Sequence, residues 1–292
     1  MLDIIFPQDY PWFLLFTILS VAWGASIGSF LNVCIYRIPI DLSVIKPDSH
    51  CPACKTPIKW YQNIPICSYI FLKGKCANCG VRISPRYVLV EILVAMLFLL
   101  VWLKFDLIMG ARPLGLVPII DFKLVPVYWL AIMGLVLGTF VDFEHMIIPD
   151  RVTLGGIACG LIASVLVPSL HGQTEILPSL MWSAIGVASG WGLLWGVAIL
   201  GEFIFKKEAM GFGDVKLMGA IGAFFGWEAV LFTVMISSFA GSIVGITLMI
   251  FGKKEMQSKI PFGPYLSLAA LLWMYWGETW WNIYIGFLTG VR

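Results

Sequence analysis

Two segments of the chain place carboxyl groups beside long apolar runs, where a carboxylate is costly and is a candidate for function. The second segment, residues 209–216, carries Asp214 at the end of the string Gly-Phe-Gly-Asp. The first segment, residues 141–151, carries four ionisable candidates: Asp142, Glu144, His145 and Asp150. Both segments are predicted to lie at or just below the same membrane surface, which would bring two aspartates to one depth.

A pair of aspartates has a known chemical use. Two carboxyl groups that share a site do not ionise together easily, so one keeps its proton while the other is charged. In a hydrolase the charged group activates a water molecule and the protonated group polarises the peptide carbonyl. Gly211 and Gly213 would let the backbone approach Asp214 closely and let a substrate strand lie alongside.

The same residues also fit interpretations without catalysis. Residues 141–151 are typical of a solvated turn, and the glycine string is typical of a helix N-cap whose Asp214 pairs with Lys216. Within the first segment, Glu144 and Asp150 compete with Asp142 for a catalytic role, and His145 is an alternative base. The residue types alone leave these possibilities open.

Residues 37–86 carry a different chemistry. Two Cys-x-x-Cys pairs with 21 residues between them have the sequence form of a zinc ribbon. The four cysteines are Cys51, Cys54, Cys76 and Cys79. Four thiolates close a tetrahedral shell, so we expect a structural Zn²⁺, which would also brace a loop too small to fold alone. The alternative is two disulfides, which a reducing compartment disfavours.

The remaining ionisable and thiol groups are interpreted as structural. Cys34 and Cys159 lie in apolar runs and are expected in the core, and Cys67 is expected to pack. His50 is an alternative zinc ligand. Glu91, five residues after Arg86, is expected to form a pairing that tethers the cysteine loop.

The composition requires lipid as the solvent for most of these elements. Hydrophobic residues make up 60% of the 292 and charged residues 12%, against roughly 25% charged in a soluble domain. The net charge of +2 is too small to indicate a nucleic-acid partner. Residues 1–11 contain Asp3 and Asp9 but no Lys or Arg, so the first apolar run is expected to be a retained helix.

The apolar runs predict an all-α polytopic membrane protein with about eight transmembrane helices and a small cytoplasmic loop domain. A bilayer core of ~30 Å needs roughly 20 apolar residues in a helix. Suitable runs cover residues 10–36, 87–103, 124–141, 152–174, 176–201, 229–252 and 260–277. The run 217–227 spans only if its helix begins earlier, so it is counted together with residues 209–216.

The basic residues predict the orientation, because Lys and Arg are held on the cytoplasmic side. One side carries fifteen of them: Arg37, Lys46, Lys55, Lys59, Lys73, Lys75, Arg82, Arg86, Arg151, Lys206, Lys207, Lys216, Lys253, Lys254 and Lys259. The other side carries four: Lys104, Arg112, Lys123 and Arg292. Both termini are therefore predicted outside, and residues 37–86 and both aspartates at the cytoplasmic face.

Several short strings together resemble the type IV prepilin peptidase family of intramembrane aspartic proteases with a Gly-x-Gly-Asp motif. The resemblance covers nearly the whole chain: residues 28–37 are similar to the first-helix signature of the family, 60–65 and 84–87 to the flanks of its cysteine pairs, 210–227 to its Gly-x-Gly-Asp segment and 260–264 to the start of its last helix.

The resemblance implies an activity and selects among the open candidates. It implies that Asp142 and Asp214 are the catalytic aspartates, that Gly211, Gly213 and Lys216 support the motif, and that the four cysteines match the cytoplasmic cysteine pairs of the family. It implies removal of the short basic leader from type IV prepilins and type II secretion pseudopilins at the inner membrane. It further implies S-adenosylmethionine-dependent methylation of the new N-terminus; no glycine-rich nucleotide loop supports that cofactor independently.

These inferences predict a division of the chain and leave two other functions to be tested. Residues 1–36 would form the first transmembrane helix, 37–86 the zinc module with the methyltransferase part, 87–123 the second helix and an outer loop, and 124–292 the peptidase membrane domain. A transporter or proton channel would also use intramembrane carboxylates, although no internal repeat of the transporter kind is visible. A non-enzymatic scaffold would use the zinc module to dock partners.

Overall fold

The protein is described from a computed structural model, which covers residues 10–104, 122–206, 210–251 and 261–290. The chain divides between residues 120 and 121 into two compact units. Several residues that the predictions used lie outside the described ranges: 1–9, Arg112, Lys207, Lys253, Lys254, Lys259 and Arg292.

The first unit contains two long antiparallel helices and the cysteine loop between them. Helix α1 covers Tyr10–Arg37, the short α2 covers Cys67–Phe71 and α3 covers Arg86–Lys104. Helices α1 and α3 approach closely because Gly28 has no side chain: a Cβ there would lie 2.7 Å from Glu91 Cα. Small residues at helix crossings are typical of membrane helices.

The second unit contains six α-helices in the described residues. They are α4 Leu124–His145, α5 Asp150–Leu166, α6 Ile176–Phe205, α7 Phe212–Ile250, α8 Gly263–Leu272 and α9 Glu278–Thr289, with a π-helical turn at Trp273–Gly277. Helices α6 and α7 cross where Gly186 faces Gly222, and a Cβ on either would overlap the backbone of the other. The crossing therefore requires glycine on both helices.

Helix α7 contains a break that its length makes necessary in a membrane. Its 39 residues at ~1.5 Å rise would extend about 58 Å, nearly twice a ~30 Å bilayer core. Gly226 interrupts the helix with φ 80° and ψ 178°, a conformation that other residues rarely adopt. The break separates residues 212–225 from 227–250, close to the boundary predicted between two spans.

The predicted fold class is confirmed. In the described residues the chain is helical and forms no β-strand, only two isolated bridges, and many large apolar side chains face outward, as lipid permits. Within the part of the chain that the structure describes, five helices are long and apolar enough to cross a membrane: Pro11–Ile40, Arg86–Lys104, Leu124–His145, Ile176–Ile204 and Phe212–Ile250. The count of eight spans stays a prediction.

Candidate active site and metal centre

Asp142 lies in the last turn of α4 and is buried, with 5% of its surface exposed. Its Oδ2 accepts a hydrogen bond of 3.0 Å from the backbone N–H of Gly263, the first residue of α8. A Cβ at Gly263 would lie 2.8 Å from that oxygen and 2.9 Å from Ile148 Cδ1. A side chain at position 263 would therefore displace the Asp142 carboxyl group or the end of the Ile148 side chain from their present positions.

Asp214 lies in the first turn of α7 and is also buried, with 8% of its surface exposed. Gly211 is the N-cap of this helix, and a Cβ there would lie 3.3 Å from Asp214 Oδ2. A Cβ at Gly213 would lie 3.2 Å from Ile148 Cβ. The two glycines of the motif thus allow close approach, one to the carboxyl group and one to the neighbouring segment.

The two aspartates belong to one cluster of the second unit. Ile148 contacts the backbone positions of both Gly213, next to Asp214, and Gly263, which bonds Asp142. The Asp142 and Asp214 carboxyl groups are close enough to interact electrostatically. Residues 72 positions apart in the chain are therefore brought into one buried site, whose chemistry is that of a carboxyl pair.

The competing ionisable groups have different surroundings. Glu144, His145 and Asp150 are all exposed. Asp150 Oδ1 lies 2.6 Å from Lys216 Nζ, and the Asp150 side chain is 61% exposed. Lys216 therefore pairs with Asp150, and not with Asp214 as the non-catalytic interpretation had expected. Burial separates Asp142 from its neighbours, which the sequence pattern could not do.

The four cysteine thiols of the first unit converge on one point. All four Sγ atoms lie within 4.8 Å of one another, and the Sγ atoms of Cys51 and Cys79 and of Cys54 and Cys76 are 3.9 and 4.0 Å apart. A tetrahedral zinc shell with Zn–S bonds of ~2.3 Å requires sulfur separations of about 3.8 Å. The cysteines are free rather than paired in disulfides, and the geometry fits a four-sulfur metal site.

Each cysteine pair lies in a turn with the same hydrogen bonds. Cys51 N–H donates to Thr56 O and Lys55 N–H to Cys51 O, and the second pair repeats this pattern from Cys76. The position after each pair, Lys55 or Gly80, has a positive φ. The hydrogen bonds of the Thr56 hydroxyl and amide lower the pKa of the Cys54 thiol to about 5, whereas desolvation and the neighbouring thiols raise the pKa of Cys79 to about 11. Without a metal ion the four thiols therefore do not ionise together, and a bound cation would stabilise the thiolates.

The other thiol and imidazole candidates lie outside this group. Cys67 is exposed and Cys34 is buried in α1, while Cys159 is half-buried in α5. His50 Nδ1 lies 3.0 Å from Asp48 O, and the described group of metal-capable residues contains only the four cysteines. The interpretation of His50 as a replacement ligand therefore has no support in the geometry.

Two buried polar residues, Glu91 and Arg37, hold the cysteine loop on its helices, and a third, Asn32, joins α1 to α3; only the role of Glu91 was predicted from the sequence. Glu91 Oε2 accepts a hydrogen bond of 2.7 Å from Ile66 N, so the tether to the loop runs through the backbone of residue 66. Arg37 donates to Ser43 O and Pro47 O, and Asn32 Nδ2 donates to Tyr87 O. In the sequence, the only indication of these contacts is that the three polar residues lie among apolar ones in α1 and α3.

The fold and the site define a helical membrane protein with a buried carboxyl pair in one unit and a four-cysteine centre in the other. The bacterial Peptidase A24 N-terminal domain matches residues 22–105, and the type IV leader peptidase family matches residues 129–246. The chain belongs to the type IV leader peptidase family, and it is a peptidase of the inner membrane.

Relatives match along nearly the whole chain. Proteins named prepilin leader peptidase/N-methyltransferase are 33% identical in Aeromonas salmonicida (strain A449), over 92% of this chain and 93% of that protein, and 32% identical in Legionella pneumophila, over 96% and 97%. The protein of that name from Pseudomonas aeruginosa is 30% identical, over 94% and 95%. No solved structure matches the chain significantly.

Proposed function

We propose that the chain cleaves the leader from type IV prepilins and type II secretion pseudopilins, with Asp142 and Asp214 as the catalytic pair. The observation that carries this proposal is the buried carboxyl pair built from α4, α7 and the first residue of α8. The names of the relatives indicate prepilins as the substrate class, and the family resemblance adds the pseudopilins.

The proposed hydrolysis uses only groups of this site and water. The charged carboxylate takes a proton from water as the water oxygen attacks the scissile carbonyl carbon. The protonated carboxyl group donates a hydrogen bond and then its proton to the carbonyl oxygen. The tetrahedral intermediate collapses as the first carboxyl group passes the proton it took from water to the nitrogen, while a hydroxyl group of the intermediate returns a proton to the second carboxylate. The carbon–nitrogen bond breaks, which releases the leader with a new carboxyl group and the mature chain with a new amine, and the carboxyl pair returns to its starting protonation. The Gly263 N–H holds Asp142 in place throughout.

We also propose that the four-cysteine centre holds one structural Zn²⁺. Its four thiols have the separations of a closed tetrahedral shell, which leaves no position for a water or substrate. The metal would hold the two turns together in a loop with little apolar core of its own. Peptide cleavage would then depend on the zinc only through the stability of the loop.

We propose that a groove in the first unit binds S-adenosylmethionine, the methyl donor that the relatives' name implies. Its volume is about 390 Å³, and it lies between one face of α1 and residues 44–65. Asp48 offers a carboxylate to hydroxyl or ammonium groups, Asn63 offers an amide, and Phe30 offers a ring for an adenine. When bound there, the donor would supply a methyl group to the new N-terminal amine.

The proposed placement in the membrane follows from the distribution of charge. Both termini would lie on the periplasmic side, and the peptidase site and residues 37–86 near the cytoplasmic face. The division into residues 1–36, 37–86, 87–123 and 124–292 is proposed with it. This placement would bring the site to the depth where a basic leader meets the apolar segment of a prepilin.

Purified protein in detergent, given a purified prepilin and no other protein, tests the proposal. The expected result is one cut between the leader and the mature segment, detected by mass spectrometry, and no loss of activity with metal chelators over a short incubation. A scaffold or a transporter would leave the prepilin intact. Proton or solute flux in vesicles without prepilin cleavage would support the transporter instead.

A further inference from the structure

A second groove, of about 350 Å³, lies in the second unit and has no role in the function described so far. It is lined by Met210, by two serines and a glycine of α7, and by two aromatic residues at the start of α8: Ser238, Gly241, Ser242, Phe262 and Tyr265. The groove therefore runs between α7 and the segment that leads into α8.

The groove adjoins both aspartates through the backbone. Met210 directly precedes Gly211, and a Cβ added at Gly211 would lie 3.3 Å from Asp214 Oδ2. Phe262 directly precedes Gly263, whose N–H donates to Asp142 Oδ2. A peptide carbonyl held between the two carboxyl groups would therefore place its neighbouring residue within reach of the groove.

The lining indicates an apolar occupant. None of its six residues is charged, and the Ser242 hydroxyl already donates to Ser238 O at 2.7 Å within the helix. Methionine and the two aromatic rings offer polarisable surfaces that adapt to an apolar side chain. A lysine or arginine of a basic leader would lose its hydration here without an acidic partner among the described lining residues, which is costly.

Gly241 sets the width of this groove. A Cβ at Gly241 would lie 3.6 Å from Phe262 Cε2 and 3.8 Å from Tyr265 Cδ2, which are ordinary contacts. A longer side chain at this position would extend between the two rings, whose centroids are 6.4 Å apart. The absence of a side chain at residue 241 therefore keeps the space beside the rings open.

We infer that this groove receives the apolar side chain of the first residue after the scissile bond, and that Gly241 limits its size. The inference rests on the proposed leader cleavage and adds the specificity of that site. The groove excludes the charged leader and accepts the first residue of the apolar mature segment. It thereby fixes which peptide bond lies between the aspartates.

A size-swap experiment on purified protein tests the inference. Prepilins with Phe or Ala directly after the scissile bond are cleaved by wild type and by Gly241→Leu. We expect kcat/KM of Gly241→Leu to fall by about 10- to 100-fold for the Phe substrate and by about 3-fold or less for the Ala substrate. Gly196→Leu in α6, where a Cβ meets nothing within 4 Å, is the matched control and should treat both substrates as wild type does.

The outcomes separate the inference from the proposed function. If wild type cleaves no prepilin, the proposed function fails and the inference with it. If wild type cleaves both substrates, the groove assignment is tested by the folded Gly241→Leu protein. An equal loss of activity on both substrates, or no loss on either, would show that the groove assignment is wrong while the proposed function stands. If Gly241→Leu does not fold, Gly241→Ala, with ordinary contacts only, must show the same order of substrates with a loss of about 3-fold on Phe.

Discussion

At the scale of single residues, burial and glycine define the site as much as the carboxyl groups do. Asp142, Glu144 and Asp150 carry the same functional group within nine positions, so their types could not rank them. Of the three, only Asp142 is buried, and it receives the backbone N–H of Gly263 because α8 begins beside it. This contact joins positions 121 apart, which no local pattern reveals; the family resemblance selected Asp142 before the contact explained it.

Replacing either aspartate by its amide should abolish cleavage. In Asp142→Asn or Asp214→Asn one group can no longer exchange a proton, and we expect kcat/KM to fall by about 10⁴-fold. Prepilin cleavage by purified variants in detergent measures this. Glu144→Gln and Asp150→Asn are the matched controls and should stay within about 3-fold of wild type, because an exposed ion pair such as Asp150–Lys216 contributes little. Full processing by either aspartate variant would remove that residue from the pair.

Gly263→Ala should impair cleavage more than it impairs folding. Its Cβ would push against Asp142 Oδ2 and Ile148 Cδ1, and a displacement near 1 Å of a catalytic group costs about 100-fold in rate. Steady-state cleavage and thermal unfolding in detergent are to be compared for this variant. Gly192→Ala, in open space on α6, should leave both unchanged. An active Gly263→Ala protein would show that the N–H contact to Asp142 is dispensable.

At the scale of elements, the sequence predicts helices well and loop architecture poorly. Lipid leaves the backbone few alternatives to a helix, so apolar runs such as 10–36 and 124–141 became Tyr10–Arg37 and Leu124–His145. The loop depends instead on single long-range contacts, such as those of Arg37 with Ser43 O and Pro47 O. A buried arginine that bonds backbone carbonyls has no periodic signature.

The cysteine centre should contain one zinc per chain, and its loss should unfold the loop before it affects cleavage. Cys51→Ser, Cys54→Ser, Cys76→Ser and Cys79→Ser should each lose zinc in elemental analysis and become sensitive to proteolysis between residues 37 and 86. Cys67→Ser, at an exposed thiol outside the cluster, is the control and should retain the metal. A zinc-free wild type with a protease-resistant loop would contradict a structural metal.

At the scale of the whole molecule, two compact units divide the chemistry between them. The unit before residue 121 contains the four thiols and the Asp48 groove, and the unit after it contains both aspartates. The N-terminal domain match to residues 22–105 and the type IV leader peptidase match to residues 129–246 follow the same division. If each unit performs one step, a change confined to the first unit should remove methyl transfer and spare cleavage.

Methyl transfer should therefore require cleavage, while cleavage should proceed without methyl transfer. Wild type should transfer a labelled methyl group from S-adenosylmethionine to cleaved pilin and hardly at all to uncleaved prepilin, because only the cleaved chain has the free amine. Asp48→Asn should weaken binding of the donor, measured by titration calorimetry, by about 10-fold or more, since it removes a charged hydrogen-bond partner. Transfer should fall with binding, and prepilin cleavage should continue.

A matched control variant and mass spectrometry of the product complete the test of methyl transfer. Asp41→Asn changes the same charge in the same loop outside the groove lining, and should bind the donor as wild type does. Mass spectrometry of the mature N-terminus then shows whether one methyl group has been added. If the mature chain lacks that methyl group in the presence of the donor, the protein has the peptidase activity but not the methyltransferase activity. If wild type and Asp48→Asn bind the donor equally and both methylate the product, the donor site lies outside this groove, because binding and transfer then depend on other residues.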